Sequence, residues 1–407
     1  MSINVSDVCK LVNNAEYSAM KEYCESIGIC VKEKNEENQI FLLANSNDQK
    51  LQKNTQNKEK NSEILDNSIN IDIDTDTVFS KFNEDLIKKQ SNGIIFEKGT
   101  NKIICMSQNR MTELVDFSEV TKLVDQNDNI RIEYCEDGTL VKLYYYNEMW
   151  NTSTTRCISA KNSFWSSNKS FDSLFWETFD SNLLSTLDKS YTYIFILLHR
   201  ENRIVVKHNV NMLVYVSRIN NSSFVEDFTN QFRNVYGIKR PKMMDRYEFK
   251  KLAYDVNNYD CKYKRGIVIK VYDKNMNSWD LYKYDFESYK MIKNIRGNVP
   301  QIRMRYLELL SKPESLQLLE NFYPEHTFMF TFIKASLLKL IKTVYKMYVD
   351  SHIKHLIKVD DTDPYYRTLR QLHAKYKITN NAIGFDDVQE RIFSLDKMVI
   401  KKLLDWQ

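Results

Sequence analysis

Glycine and proline are scarce in this chain of 407 residues, which contains 8 Gly and 5 Pro. Each glycine that does occur is therefore expected to mark a position where the backbone requires it. Aromatic side chains are abundant by contrast, with 25 Tyr and 21 Phe. The 43% hydrophobic and 28% charged residues are typical of a globular protein, and the length allows two or three domains.

Cysteine pairs are also missing. The seven cysteines form no CxxC motif and are an odd number, which excludes the usual zinc spacings and disfavours a disulfide framework. We expect all of them to be reduced and mostly buried small apolar side chains. The seven are Cys9, Cys24, Cys30, Cys105, Cys135, Cys157 and Cys261.

Long apolar runs are absent, so no membrane span and no membrane partner are expected. The first ten residues, MSINVSDVCK, do not have the basic and apolar segments of a secretion signal. The sequence therefore predicts a cytoplasmic protein. Its net charge of +4 does not by itself separate a nucleic-acid-binding protein from one with an ordinary solvated surface.

The patterns along the chain predict four segments. Residues 1–44 combine helical spacing with a strand hairpin and are interpreted as a self-contained helix-helix-hairpin unit. Residues 45–77 are nearly all polar and predict a flexible loop. Short apolar strands dominate residues 78–298, and helix-like segments fill residues 299–407. The expected fold class is α+β, an antiparallel β core with an N-terminal helix-hairpin cap and a C-terminal helical domain.

Local patterns within the last two segments make this expectation more specific. The apolar stretches RIEYC, TLVKLYYY, YTYIFILLH and RIVVKH predict strands, and Asp137-Gly138 forms an acidic turn between the first two. Ser170 is the expected N-cap of a helix that begins with SFDSLFW. Residues 224–257 are charged and predict a helix, and a long helix is expected from TFIKASLL through HIKHLIK.

Six segments of the central block occur in the order found in a known enzyme family. They are NGIIFEKGTNKIICMS, CEDGTLVKLYY, WNTSTTRC, YTYIFILLHRENRIVV, KRGIVIK and LYKYDFESY. They resemble the motifs of the bacteriophage-type RNA ligases, including the nucleophile motif K-x-D-G-S/T-L, the F-E-F-V strand and the E-G-x-V-x-K strand. This family belongs to the covalent nucleotidyltransferases, with DNA ligases and mRNA capping enzymes.

The resemblance spans about residues 90–310 and implies a nucleotidyltransferase-like β core. The segments SFWSSNKSFDSLF and NIRGNVPQIRMRYLELL further resemble ligase-like proteins encoded by large DNA viruses. In the family, a lysine amine attacks the α-phosphorus of ATP or GTP, and carboxylates bind the divalent metal ions.

Three positions depart from what that chemistry needs. Cys135 stands at the position of the lysine nucleophile, and Ile196 and Arg265 stand where the family has glutamates. Losing any one such group typically reduces catalysis by orders of magnitude. The resemblance therefore implies a protein that has kept the fold and given up transfer, with no metal site and no cofactor expected. If the chain is active, the implied cofactors are ATP and Mg²⁺, and a displaced lysine, Lys142 or Lys102, would serve as nucleophile.

Other motif positions are retained. The resemblance implies nucleotide-binding roles for Asp137, Gly138, Arg156, Lys270 and Lys283. The helical tail offers a separate set of candidates for RNA binding, in which lysines alternate with Leu and Ile. They are Lys334, Lys342, Lys346, Lys354 and Lys358. They form either the solvated side of an amphipathic helix or a surface that tracks phosphates.

Five histidines are interpreted as ordinary polar or solvated side chains. They are His199 and His208 in the central block and His352, His355 and His373 in the tail.

The sequence leaves three hypotheses about function. The leading hypothesis is a catalytically degenerate, viral RNA-ligase-like protein that binds RNA or a nucleotide. The second is an active RNA ligase or capping-type enzyme with a displaced lysine. The third is a scaffold subunit that binds protein partners in a virion or an RNA-processing complex.

Overall fold

A computed structural model of the protein describes residues 7–34, 40–45, 82–258, 260, 264–274 and 277–406. Apart from its first residue, the predicted flexible loop at 45–77 lies outside the described residues. The chain forms two compact units, residues 1–289 and 290–407. The first contains three mainly antiparallel sheets, and the described part of the second is helical. The predicted α+β class with an antiparallel core and a helical C-terminal region is thus confirmed.

The elements of the chain have the following bounds. The strands are β1 Ile29–Lys34, β2 Ile40–Asn45, β3 Asn92–Glu97, β4 Ile103–Cys105, β5 Thr112–Glu113, β6 Ile130–Cys135, β7 Thr139–Tyr146, β8 Met149–Ser153, β9 Tyr191–Leu198, β10 Met212–Asn220, β11 Glu226–Asp227, β12 Ile238–Lys239, β13 Met243–Met244, β14 Gly266–Asp273 and β15 Ser278–Asp285. The α-helices are α1 Asp7–Asn14, α2 Tyr17–Ser26, α3 Glu84–Gln90, α4 Phe117–Gln126, α5 Phe171–Trp176, α6 Arg246–Tyr254, α7 Glu287–Arg296, α8 Ile302–Glu308, α9 Pro313–Phe322, α10 Thr327–Tyr348, α11 Tyr366–Thr379, α12 Phe385–Phe393 and α13 Lys397–Leu403.

The first sheet has the order β1-β2-β3-β4. Strand β2 pairs with β3, for example Ala44 with Asn92, so the N-terminal residues share a sheet with the segment that follows the predicted loop. The ring of Phe41 stacks on that of Phe96 at 5.3 Å, in a core that includes α1. The expectation that residues 1–44 are self-contained is therefore wrong, because their hairpin completes its hydrogen bonding on β3.

The second sheet has the order β11-β10-β9-β7-β8, with β12 paired to β10. One of its faces packs on the short helix α5 through a cluster of aromatic rings that includes Phe175, Phe195 and Phe232. The Ser170 side chain accepts a hydrogen bond from the Ser173 backbone N–H, which confirms the predicted N-cap.

The third sheet has the order β13-β6-β14-β15-β5. Side chains alternate between its two faces. One face is apolar and packs on α4 and α6, with Ile132, Ile267 and Ile269 in the core. The other face carries the intervening side chains of β6, β14 and β15. These side chains include Arg131, Glu133, Cys135, Lys270, Lys283 and Asp285. We refer to these six residues as the charged face.

Two strand and helix expectations in the first unit are wrong. The RIVVKH stretch forms no strand, because the backbone N–H groups of Val205 and Val206 donate to the Asp137 side chain instead of a neighbouring strand. Residues 224–257 are helical in α6 and in a short 3₁₀ turn, Val256–Asn258. The short strands β11, β12 and β13 occupy part of the remainder.

The second unit is built around α10, a helix of 22 residues that buries Ile333, Leu337 and Val344 among other residues. This helix ends at Tyr348 and continues as a π-helical turn, Val349–Ile353. The predicted extension of the helix to Lys358 is therefore wrong. Within the described ranges, no helix combines the length and apolar character that a bilayer span requires.

Candidate nucleotide site

The Asp137-Gly138 pair lies at a crossover between two sheets. Strand β6 pairs with β13 and β14 in the third sheet, whereas β7 pairs with β8 and β9 in the second. The two strands that flank the pair are therefore not partners, and the turn is not a hairpin. The crossover places the end of β6 beside both sheets, where the resemblance locates the nucleophile.

Asp137 is a buried acceptor at this crossover. Its Oδ2 accepts hydrogen bonds from the backbone N–H groups of Val205 and Val206, both at 2.8 Å. Its Oδ1 accepts from the Tyr289 hydroxyl at 2.5 Å. Its backbone carbonyl lies 2.7 Å from Nε2 of His208. These contacts occupy both carboxylate oxygens and connect the turn to residues 205–208 and to Tyr289. Asp137 therefore has a positioning role.

Gly138 is fixed by the close approach of β9. A Cβ atom at this position would lie 2.5 Å from the Leu197 carbonyl oxygen and 2.7 Å from a methyl carbon of Ile196. Any other residue would force β9 away from the crossover. The glycine predicted from the motif therefore has a steric reason in this fold.

Cys135 ends β6 and is 8% exposed. Burial raises the pKa of its thiol to about 11, and the neighbouring Arg265 only partly opposes this effect. The side chain is therefore a protonated thiol at neutral pH, which is a weak nucleophile.

Arg265 directly precedes Gly266, the β14 residue that pairs with Cys135. Its guanidinium binds the Asp285 carboxylate through two nitrogen atoms. Its Nε is 2.8 Å from Oδ1 of Asp285, and its Nη2 is 3.3 Å from Oδ2. Burial acts to lower the pKa of Arg265, but Cys135, Asp285 and Tyr289 raise it well above its ordinary value. A permanent positive charge thus stands where the resemblance implies a carboxylate.

The two lysines of the charged face are also ion-paired. Nζ of Lys270 lies 3.0 Å from Oε2 of Glu133, and both side chains are buried. Nζ of Lys283 lies 3.4 Å from Asp285 and 3.4 Å from Glu113. The phosphate-binding cations that the resemblance implies are therefore balanced by the protein's own carboxylates.

A segment of the second sheet covers part of this face. The Phe228 ring, which follows β11, lies 4.7 Å from Nζ of Lys270 and 4.5 Å from the Arg131 guanidinium. Glu226 accepts hydrogen bonds from Gln108 and Ser217. Burial raises the pKa of Glu226, while Lys270 acts to lower it. An aromatic ring and a carboxylate thus occupy the space beside Lys270.

The remaining motif positions are dispersed. Ile196 lies in β9, opposite Leu140 of β7 and Val214 of β10, and packs against the apolar core. Arg156 is exposed just after β8, where its backbone carbonyl accepts a hydrogen bond from Lys32 at 2.5 Å. The structure therefore brings Cys135, Lys270 and Lys283 onto one face, and Arg156 is not among the charged-face residues.

The two displaced-lysine candidates lie in different surroundings. Lys142 is fully buried in β7, and its amine donates to the Gly93 carbonyl. Burial lowers the pKa of Lys142. Lys102 is exposed and lines a groove of about 550 Å³ together with Tyr145, Tyr146 and Lys189. Neither amine is among the residues of the charged face.

The five lysines proposed for RNA binding are exposed. Lys334, Lys342 and Lys346 lie on α10, and Lys354 and Lys358 follow the π-helical turn. Lys334 pairs with Glu320 at 2.7 Å, and Lys354 lies 3.7 Å from Asp350. They therefore do not form one continuous helical stripe.

The two positions where the family has glutamates do not fit a divalent metal with bound ATP. Ile196 offers no ligand atom, and Arg265 would repel the cation. A separate group, Glu177, His199 and Glu201, has ligand atoms within 4.8 Å of one another. Lys169 already binds both carboxylates there, at 3.0 and 2.9 Å. Nδ1 of His199 accepts the Glu201 backbone N–H at 3.2 Å, and its Nε2 lies 2.7 Å from the side-chain nitrogen of Asn211. This group is an ion-paired network with lysine as its cation.

Several residues of the site were not identified from the sequence. They are Glu133, Tyr289, Glu226 and Phe228. Asp285 could have been found, because period-two alternation in LYKYD places it on the face of Lys283. Tyr289 had no such signal, since its contact with Asp137 joins residues 152 positions apart.

Comparison with known proteins finds a viral immediate-early protein and a phage RNA ligase among the sequences similar to this chain. No protein-family profile matches it. It is 26% identical over 267 residues to the immediate-early protein ICP-46 homolog of Invertebrate iridescent virus 3, covering 63% of this chain and 58% of that protein. It is 35% identical over 91 residues to an RNA ligase of Rhodothermus phage RM378, covering 20% of each. The chain thus spans between a fifth and three fifths of these two relatives.

Among solved structures, a putative ATP-dependent DNA ligase from Aquifex aeolicus matches with a TM-score of 0.43 and 10% identity, over 89% of this chain and 81% of that chain. The two sequence relatives confirm the resemblance to RNA ligases and to proteins of large DNA viruses.

Proposed function

We propose that this chain is an RNA-ligase-like protein that has given up nucleotidyl transfer and binds RNA or a nucleotide without transferring it. The observation that carries the proposal is the forked ion pair of Arg265 and Asp285 beside Cys135. Covalent nucleotidyl transfer needs an unprotonated nucleophile and a carboxylate-bound metal ion. This end of β6 instead presents a protonated thiol and a guanidinium.

The rest of the charged face supports the same proposal. Lys270 is bound to Glu133, and the Phe228 ring lies over it. A nucleotide phosphate would have to displace both a buried carboxylate and an aromatic ring to reach this lysine. The viral relatives favour a viral RNA-processing context, in the cytoplasmic viral factory or the virion.

RNA binding is proposed at the groove that contains Lys102. Lysines 102 and 189 supply positive charge, and the half-buried Tyr145 and Tyr146 supply aromatic surface. Nζ of Lys189 lies 4.2 Å from the Tyr145 ring centroid. Basic side chains beside aromatic rings suit single-stranded nucleic acid, whose bases stack while its phosphates are neutralised. The exposed lysines of α10 provide a second basic surface for the same role.

One observation favours an active enzyme as a second candidate function. Burial lowers the pKa of Lys142, which is the property that a nucleophilic lysine needs. If that lysine served as nucleophile, the protein would be an ATP-dependent RNA ligase or a capping-type enzyme with Mg²⁺. Lys142 is fully buried, so a nucleotide could reach it only after β3 and β7 had separated.

The decisive experiment is incubation with α-labelled ATP or GTP and Mg²⁺ or Mn²⁺, followed by a denaturing gel. We expect no labelled protein. A covalent adduct that disappears in Lys142→Met or in Lys102→Met, the two displaced-lysine candidates, would replace the proposal by the second candidate.

RNA binding is measured by fluorescence anisotropy of a labelled single-stranded RNA over a salt series. We expect an affinity that falls steeply with salt and falls further in Lys102→Glu/Lys189→Glu. Absence of binding at low salt would reject this part. A protein partner in a virion or RNA-processing assembly would then be the remaining function, to be sought by affinity purification from infected cells.

A further inference from the structure

A π-helical turn interrupts the second unit at the end of α10. The Lys354 backbone N–H donates to the Val349 carbonyl at 2.8 Å, and the Leu356 N–H donates to the Asp350 carbonyl at 2.7 Å. His355 then adopts a left-handed backbone with φ of 54°. Such turns are uncommon and occur frequently at functional sites. Here the turn ends the helical path and brings residues 355–359 against α11.

The turn and α11 together enclose a cavity of about 520 Å³. Its polar lining is Ser351, His352, His355, Lys358, Tyr366 and Arg370. Its apolar lining is Leu356, Ile357, Val359 and Leu369. All ten lining residues lie in the described part of the chain, and none of them carries a carboxylate. A cavity lined by one lysine, one arginine and two histidines, with no acid, is suited to an anion.

The two permanent cations of the cavity form no direct ion pair. Among residues 277–406, neither Lys358 nor Arg370 lies within 4.0 Å of a carboxylate oxygen. The Asp360 carboxylate accepts from the N–H and hydroxyl of Thr362 at 3.0 and 2.5 Å, and the charge of Lys358 helps to lower its pKa. Lys354, by contrast, lies outside the cavity lining and 3.7 Å from Asp350.

Three histidines lie in or beside the cavity. His352 stacks between Tyr348 and His373, with ring centroids at 5.1 and 4.6 Å. Burial lowers the pKa of His352, and the neighbouring His373, His355 and Lys377 lower it further. A bound anion would relieve this repulsion.

We propose that this cavity binds a phosphate monoester, carried either by a free nucleotide or by the 5′ end of an RNA. The Arg370 guanidinium offers the forked donors that match phosphate oxygens, and Lys358 offers a point charge. The apolar Leu356 and Ile357 suit the sugar or base attached to the phosphate. This inference rests on the second unit alone and holds whether or not the first unit binds RNA.

The test compares two RNAs of one sequence, labelled at the 3′ end, that bear a 5′-phosphate or a 5′-hydroxyl. Anisotropy titrations use the full chain. We expect the 5′-phosphate RNA to bind about tenfold more tightly, the gain typical of one charge-assisted contact. Lys358→Glu and Arg370→Gln should abolish this preference. Lys402→Glu, at an exposed position of α13, is the matched control, because it makes the same charge change away from the cavity, and it should keep the preference.

Three further readouts interpret the result. Competition by AMP would assign the phosphate to a free nucleotide, and a preserved preference without competition would assign it to an RNA end. No preference in the wild-type protein, or equal losses in Lys402→Glu and Lys358→Glu, would overturn the proposal. Failure of RNA binding in the first unit is distinguishable, since Lys102→Glu/Lys189→Glu should weaken both RNAs equally.

Discussion

Reversing the charges of Arg265 and Asp285 together should restore much of the stability that either reversal alone removes. The Asp285 side chain is 1% exposed and that of Arg265 is 16% exposed, so the pair is shielded from water. Removing one partner of a buried pair costs about 3–5 kcal/mol, because the other charge stays buried without compensation. Arg265→Glu adds repulsion to this cost, since the new carboxylate faces Asp285 and also Asp137, now 3.9 Å from the guanidinium.

The double variant Arg265→Glu/Asp285→Lys restores an attractive pair with reversed polarity. Two unit charges about 4 Å apart interact by about 4 kcal/mol at an effective dielectric constant of 20. Asp137 and Lys283 limit the recovery, because each then faces a like charge. We therefore expect each single variant to lower the free energy of unfolding by about 3–5 kcal/mol. The loss in the double variant should be smaller than the sum of the two single losses by at least about 3 kcal/mol.

The assay is urea unfolding at 25 °C followed by tryptophan fluorescence. Trp150, Trp165, Trp176 and Trp279 all lie in the first unit and report on it. The matched control reverses Lys169 and Glu201, whose side chains are 44% and 45% exposed, and should change stability by less than about 1 kcal/mol. If the double variant loses the sum of the single losses, the ion pair contributes nothing specific and the interpretation of the site fails.

Four other outcomes follow from the surroundings of individual residues. Asp137→Asn should lower the free energy of unfolding by about 1–3 kcal/mol, because the amide cannot accept hydrogen bonds at both of its ends. Gly138→Ala should yield little folded protein, measured by expression and circular dichroism, because the added Cβ would collide with β9. Burial raises the pKa of Cys135 to about 11, so the rate of its alkylation by iodoacetamide should still rise about tenfold per pH unit from pH 7 to 9. Peptide mass spectrometry measures this rate, and a plateau in that range would contradict the expectation. Burial lowers the pKa of Lys142 from 10.5, so the unfolded chain binds more protons and wild-type stability should rise relative to Lys142→Met between pH 7 and 9.5 in urea titrations; a flat difference would show that the amine is not desolvated.

Much of the fold could be predicted because its signals are local. Period-two alternation identified strands such as β6, β7 and β14, and Ser170 identified the start of α5. The end of α10 could not be predicted, since apolar spacing continues past Tyr348 and a π-helical turn has no distinct period. The strand predicted at residues 203–208 does not form for another reason, because a buried carboxylate accepts hydrogen bonds from its backbone N–H groups.

The candidate site was partly predictable. The motif spacing identified Cys135, Lys270 and Lys283, which share a face because side chains alternate along each strand and the strand register places all three on the same side. Their partners could not be predicted, because an ion pair such as Lys270 with Glu133 depends on strand register across 137 residues of chain. Arg156 was expected at the site on motif grounds, but its exposed side chain is not among the residues of that face.

The pairing of β6 also determines when the first unit can be completed during synthesis. Both neighbours of β6 in its sheet, β13 and β14, lie beyond residue 242. Strands β1 to β4 and β7 to β10 can pair well before that point, whereas β6 waits with two open edges until the ribosome has released β14. Strands that pair late in this way fold slowly and are exposed to aggregation. A nascent chain that stalls before β14 therefore has two finished sheets and one unfinished sheet, and the hydrogen bond from Tyr289 to Asp137 forms only after the third sheet is complete.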